Sequence, residues 1–182
     1  MRMTKPLNEM TLEELWELFP IVLEPHNGEW AIWFAEEKPI LQNLCPNAAI
    51  NHIGSTAIPE IMAKPTVDIL VEFSTTDEMS VSACRMEEAG YIKMSDAISR
   101  ISLNKGYTPY GYADRVFHIH LRLAGDNTEI HFRDYLISHP DTAKQYESLK
   151  EGLAERYRND RDAYTEGKTE FIEEVLRLDK GA

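Results

Sequence analysis

Two apolar runs joined through a Gly54-Ser55-Thr56 turn constrain this chain more than any other feature of its sequence. Ala48 to Ile53 reads as one strand, and Thr66 to Phe73 as a second that pairs with it. A connector closed by Lys64-Pro65 separates them. A Gly-Ser turn lets backbone approach a ligand closely and offers free N–H groups and hydroxyls, which is how chains hold phosphate oxygens. The second strand carries a carboxylate, Asp68, between apolar neighbours. Such a group is costly unless a metal, a hydrogen-bond donor or a substrate uses its charge. Turn and carboxylate together point to a nucleotide-phosphate site with a carboxylate-held divalent cation. The alternative is a tight turn beside a structurally bonded Asp.

The remaining segments alternate between strand and helix. Thr11 and Glu14 fit a capping box opening a helix to about Phe19, and Ile21 to Leu23 reads as a strand stopped by Pro25. Asn27-Gly28 opens a helix with Trp30, Trp33, Phe34, Ile40, Leu41 and Leu44 near helical spacing, which Pro39 is expected to kink or split. A helix from Thr76 or Asp77 to Glu88 ends before Gly90, and Tyr91 to Met94 and Ser99 to Leu103 read as short strands. The run Lys105 to Asp114 is rich in turn formers and tyrosines and reads as a loop. Phe117 to Leu123 alternates as a strand, and Gly125-Asp126-Asn127 breaks it. Helices follow over 128–138, 141–158 and 160–178. This order predicts an α/β (α+β) fold, a mixed sheet flanked by helices with a C-terminal helical extension. One domain is expected over 1–182, with a helical arm over 1–20 and a tail over 128–182 packed on the sheet.

A net charge of −12 argues against polymeric nucleic acid and anionic membranes as partners, since both need a basic face. A local basic pocket could still accept a phosphate. Cys45 and Cys84 are too few for a disulfide framework, residues 1–10 lack the apolar core of a signal peptide, and no apolar run approaches a bilayer span. A cytoplasmic protein is expected.

Alternation places Asp68, Leu70 and Glu72 on one face of their strand, and His118, His120 and Arg122 on one face of theirs. If the strands are neighbours, Asp68, His118 and His120 could line one crevice as metal ligands. Solvent-facing or helix-bonded histidines are the alternative. Arg133 could clamp a phosphate, or could pair with Asp134 or Asp141. Tyr146, Leu149, Tyr157, Tyr164, Phe171, Ile172 and Leu176 read as a core stripe, with Lys150 and Lys168 solvated, paired or reaching a pocket rim. No Walker loop, Gly-x-Gly-x-x-Gly turn or Gly-x-Ser-x-Gly elbow is present.

Gly54-Ser-Thr-Ala-Ile-Pro59, Lys64-Pro-Thr-Val-Asp-Ile69, His118-Ile-His120, Phe132-Arg-Asp-Tyr-Leu136 and His139-Pro140 resemble the GrpB family of small bacterial proteins. Tyr146, Leu149-Lys150, Asp160, Tyr164 and Lys168 extend the likeness along nearly the whole chain. The resemblance implies a nucleotidyltransferase fold, in which a Gly-Ser turn precedes a strand bearing two metal-binding carboxylates one residue apart. Carried over, Gly54, Ser55 and Thr56 would hold phosphates and Asp68 would be the first metal ligand, whereas the second position is Leu70. Glu60 stands where the family usually has Gly. Some members are joined to dephospho-coenzyme A kinase, which implies a link to nucleotide or coenzyme A metabolism.

Three expectations follow. The first is a metal-dependent nucleotidyltransferase-like enzyme acting on a nucleotide or small phosphorylated molecule. In it Ser55 and the turn position phosphates, Asp68 with His118 or His120 holds Mg or Mn, and Lys64 or Arg133 offsets leaving-group charge. The second is a binding module that kept the fold without catalysis. The third is a single-metal hydrolase using a zinc-type ion.

Overall fold

The structure, a computed structural model, describes residues 5–181, so residues 1–4 of the expected N-terminal arm and residue 182 lie outside the described residues. The elements run α1 (Leu12–Leu18), α2 (Glu29–Leu44), β1 (Ala49–Ile53), β2 (Val67–Phe73), α3 (Thr76–Glu88), β3 (Ile92–Ala97), β4 (Arg100–Thr108), β5 (Gly111–Leu123), α4 (Thr128–Ser138), α5 (Pro140–Arg156), α6 (Arg161–Glu166) and α7 (Thr169–Gly181). Five strands form one sheet in the order β1-β2-β5-β4-β3. Only β2 and β5 pair in parallel; the other neighbours are antiparallel. This is the mixed sheet flanked by helices that the element order predicts.

Period-two alternation builds the sheet's dry face. Val67, Ile69, Val71 and Phe73 join Phe117, Ile119 and Leu121 in a core with Trp30 and Leu41 of α2 and Met79, Ala83 and Met86 of α3. Each large side chain buried there contributes about 1.5–3 kcal/mol. A second cluster joins Ile58 and Ile61 of the β1–β2 connector to Phe132 and Leu136 of α4, Ala143 and Tyr146 of α5 and Val175 of α7. It fastens the helical tail over the connector, beside the wet face. Among the described residues no helix is long and apolar enough to cross a membrane.

Four local expectations change. Lys105 to Asp114 is not a loop: β4 and β5 run through it and reverse at Pro109-Tyr110, with Thr108 opposite Gly111. The turn formers are absorbed by a bulge at Gly106, where φ is +94° and a Cβ would sit 2.2 Å from the Arg115 carbonyl oxygen. Tyr107 and Tyr112 then stack edge-on across the hairpin, with centroids 5.4 Å apart. Ile21 to Leu23 forms no strand; a single bridge, Glu24 to Ala63, remains between flanking prolines. Pro39 leaves α2 continuous, because it sits on the exposed side, where water can satisfy the carbonyl it orphans. The helix expected over 160–178 divides at Gly167-Lys168 into α6 and α7. The Thr11–Glu14 capping box forms as expected.

Candidate functional site

The parallel pairing of β2 with β5 sets Asp68 opposite His118 and Leu70 opposite His120. Both imidazoles turn to the same carboxylate oxygen: Asp68 Oδ1 lies 3.2 Å from His118 Nδ1 and 3.3 Å from His120 Nε2. Gly54 presses against the other side of that carboxylate. Its φ is +73°, and a Cβ there would stand 2.5 Å from Asp68 Oδ2. Any side chain would therefore need both a disfavoured backbone conformation and room the carboxylate already fills. Thr56 is buried and its hydroxyl meets His52 Nε2 at 2.9 Å. Burial pulls His52 down to about 4, so it is neutral and stacks on Phe34.

A directional hydrogen-bond chain ends on Asp68. Arg161 donates to the Tyr107 hydroxyl, which meets His118 Nε2 at 2.7 Å, while His118 Nδ1 faces Asp68. Burial lowers the His118 pKa despite the neighbouring carboxylate, and burial raises that of Tyr107. The network therefore assigns a neutral His118 that accepts from Tyr107 and donates from Nδ1 to Asp68. Burial alone would raise Asp68, but the two imidazole hydrogen bonds outweigh it and hold the carboxyl below the usual carboxylate range. Asp68 is anionic.

The tail supplies the opposite charge. A cavity of about 620 Å³ is lined by Gly54, Ser55, Thr56, Lys64, Asp68, His118 and His120 from the sheet side, and by Tyr146, Lys150, Arg161, Tyr164 and Lys168 from the helices. Asp162 and Glu166, both exposed, also line it. Four cationic side chains thus face one interior carboxylate. Each lies over a tyrosine ring: Lys64 and Lys168 over Tyr164 at 5.6 and 4.6 Å, Lys150 over Tyr146 at 5.0 Å, and Arg161 over Tyr107 at 5.4 Å. Among the described residues none of the four pairs with a carboxylate within 4.0 Å, although Lys150, almost fully buried, donates to the Met62 carbonyl. Aromatic faces stabilise a cation without neutralising it. Burial, reinforced by neighbouring cations, brings Lys64 and Lys150 down to about 7 and also lowers Lys168. The cavity is a positive well in an acidic chain.

Of the residues singled out from sequence, the structure gathers Gly54, Ser55, Thr56, Lys64, Asp68, His118 and His120 around this one cavity. Arg133 does not line it; its guanidinium donates to Asp134 at 2.7 Å and to the His52 carbonyl at 2.6 Å. Sequence reasoning passed over Tyr107, which it placed in a loop, and Arg161. It read Tyr146 and Tyr164 as core and Lys150 and Lys168 as solvated, paired or at a rim. A signal was present, since Tyr146 with Lys150 and Tyr164 with Lys168 share i, i+4 spacing. A cation repeating beside a buried aromatic stripe marks a helix face turned to a polar cavity.

A nucleotidyltransferase-like fold raises the expectation of a divalent cation, and the donors present do not fit a pair of them. The other carboxylate of the β2 strand, Glu72, stands four residues from Asp68, and Leu70, where a second carboxylate would stand, is fully buried. Among the described residues no group of three or more His, Cys, Asp or Glu side chains is placed to hold a metal ion. The four cations around Asp68 further oppose a doubly charged guest.

Known proteins agree with this architecture. The chain is similar to the glutamate-rich protein GrpB of Alkalihalophilus pseudofirmus, 37% identical over 163 residues covering 86% of this chain and 94% of that one. It is 36% identical over 166 residues to the UPF0157 protein YqkA of Bacillus subtilis, covering 86% of this chain and 47% of YqkA. The crystal structure of conserved protein GrpB from Enterococcus faecalis superposes with a TM-score of 0.75 at 27% identity, covering 87% and 96% of the two chains. The Cid1 poly(U) polymerase bound to Mg 3′-dATP aligns with a TM-score of 0.53 at 11% identity over 86% of this chain and 51% of Cid1, a likeness of fold alone. The GrpB protein family matches over residues 20–178, a span that holds every residue of the cavity just described, and the chain belongs to that family.

Proposed function

We propose that this protein binds a phosphorylated small molecule of the nucleotide class. Its anionic group is held by Lys64, Lys150, Arg161 and Lys168, with the Ser55 hydroxyl at the turn. One observation carries the reading: four cations converge on one cavity, seated on tyrosine faces and not on carboxylates. Cations left without counter-ions in a partly enclosed space are costly, and a phosphate would offset that cost. The charge that a metal would otherwise supply is already in the walls, so binding needs no metal. Asp68 limits the well: it fixes the two imidazoles and opposes the guest.

Calorimetry with pyrophosphate in EDTA tests this. Binding is expected without metal, and Asp68→Asn is expected to tighten it several-fold by removing the repelling charge. Binding only with added Mg²⁺, Mn²⁺ or Zn²⁺, lost in Asp68→Asn, would instead support the metal-dependent enzyme.

One observation favours group transfer as a second reading. Asp68 holds His118 and His120 at the cavity wall, and a carboxylate-oriented imidazole is a common general base. Slow pyrophosphate release from nucleoside triphosphates, abolished in His120→Gln, would establish turnover.

A further inference from the structure

A second cavity of about 340 Å³ adjoins the cationic one, and Gly54, Ser55, Asp68, His120 and Tyr146 line both. Beyond those shared residues its character changes. Ile53, Phe132, Ile172 and Leu176 line it with Thr128 and the paired ionic groups Arg122 and Glu129, and no lysine is among its lining residues. Its volume lies in the range of small-molecule pockets. Its one cation, Arg122, is 7% exposed and leaves one donor unmatched. Nη1 donates to the Leu121 carbonyl at 2.9 Å and the Ile101 carbonyl at 3.5 Å, while among the described residues Nε is a buried side-chain nitrogen without a hydrogen-bond partner. The nearest carboxylates, on Asp126 and Glu129, stand 4.0 and 3.9 Å from the guanidinium. A buried donor left unpaired is uncommon, and such groups are usually matched by water or a ligand.

We infer that this adjoining cavity takes the uncharged body of the same ligand, an aromatic or apolar group that packs on Ile53, Phe132, Ile172 and Leu176, while its phosphates lie among the lysines. The inference rests on the anion-binding reading above and narrows it. An organic phosphate of nucleoside size, spanning the sill of Ser55, Asp68 and His120, fits both compartments at once. Inorganic phosphates fill one compartment only, and phosphorylated sugars bring no apolar surface to the other. The division of labour is the usual one, in which charge supplies attraction and an apolar pocket with a few polar groups supplies selectivity.

Calorimetry in EDTA with pyrophosphate and the four common nucleoside diphosphates, which carry the same diphosphate group, separates the two claims. At least one nucleoside diphosphate should bind ten-fold or more tightly than pyrophosphate. Leu176→Trp, which fills the apolar wall, should bring that ligand down to the pyrophosphate level and leave pyrophosphate itself unchanged. Thr128→Trp, at an exposed position on the same cavity, does the same if the Leu176 variant fails to fold. If pyrophosphate binds and every nucleoside diphosphate merely equals it, the second compartment is refuted and the cationic site stands. If pyrophosphate and all four nucleotides fail to bind, both claims fall together.

Discussion

The strand-built wall of the cavity carries Asp68, His118 and His120 in one register of the β2–β5 ladder, whereas the tail-built wall carries Lys150, Arg161 and Lys168 on α5, α6 and the turn before α7. The first is positioned by backbone hydrogen bonds, and its polar groups satisfy one another: two imidazoles share one carboxylate. The second is positioned by side-chain packing, and its charges are left over: tyrosine faces hold them where carboxylates could have. A wall whose polar groups are mutually satisfied needs no guest. A wall with surplus charge does, so on the proposed reading the tail supplies most of the affinity for an anion and the sheet supplies the frame.

Breaking the tail wall should therefore have the largest effect. Replacing Arg161 and Lys168 together by methionine removes two charge-assisted contacts of about 1.5–3 kcal/mol each. Pyrophosphate affinity should fall at least about 100-fold by calorimetry, while the thermal midpoint holds or rises as buried charge is lost. Affinity within two-fold of the parent would mean that the tail wall is scenery. A disruption of the frame should show the reverse pattern. Gly54→Ala forces a Cβ into the space of Asp68 Oδ2 at a backbone φ of +73°, and should cost about 3 kcal/mol of stability in denaturant melts. Combining it with Asp68→Ala should return only the part of the clash that comes from the carboxylate, since the Asp68 Cβ itself stands 3.0 Å from the added methyl and the backbone cost persists.

The two walls also differ in how far the sequence discloses them. The frame is written locally: alternation along Val67 to Phe73 and Phe117 to Leu123, with the Gly54-Ser55 turn, assigns Asp68, His118 and His120 to one face. What alternation leaves open is whether those strands are neighbours, which the parallel β2–β5 pairing answers. Of the tail wall the spacing shows only that Tyr146 with Lys150 and Tyr164 with Lys168 stand i, i+4, and not what turns them to the cavity. The helix break at Gly167-Lys168 turns Lys168 back toward Tyr164, and the Gly106 bulge extends β4 so that Tyr107 meets both His118 and Arg161. Lysines beside aromatic residues on a helix read as core edge until the helices are docked. Arg133 shows the converse, a suggestive residue in a chemically dense stretch whose donors the backbone of β1 and its neighbour Asp134 already use.

Titration moves stability and anion affinity with opposite signs. Lys64 and Lys150 have folded pKa values near 7, against an ordinary value of 10.5. Between those limits the unfolded chain binds more protons than the folded one, so stability rises with pH from about 7 toward 10.5. Anion affinity runs the other way, because a bound phosphate needs both ammonium groups protonated and must recruit the protons above pH 7. Pyrophosphate affinity should fall about 10-fold for each lysine per pH unit above 7, until the raised pKa values of the complex are reached. Calorimetry in buffers of different ionisation enthalpy should register proton uptake on binding near pH 8. Affinity flat from pH 6.5 to 9 would show that neither lysine meets the guest.

The smallest effect should come from the one hydrogen-bond chain that joins the two walls. Arg161, on the tail, reaches Asp68, on the frame, only through Tyr107 and His118. Tyr107→Phe keeps the ring that faces the Arg161 guanidinium and removes only the hydroxyl, so packing around Phe19 and Tyr112 persists. One hydrogen bond of this kind is worth about 1 kcal/mol, which predicts a pyrophosphate affinity lowered about five-fold with little change in melting. A cycle of Tyr107→Phe with Arg161→Met then measures whether the walls act together. If the two losses simply multiply, the frame and the tail bind independently and the chain through His118 serves the frame alone. If the second substitution costs nothing after the first, the tyrosine hydroxyl acts by aiming the guanidinium, and the anion site begins at the sheet.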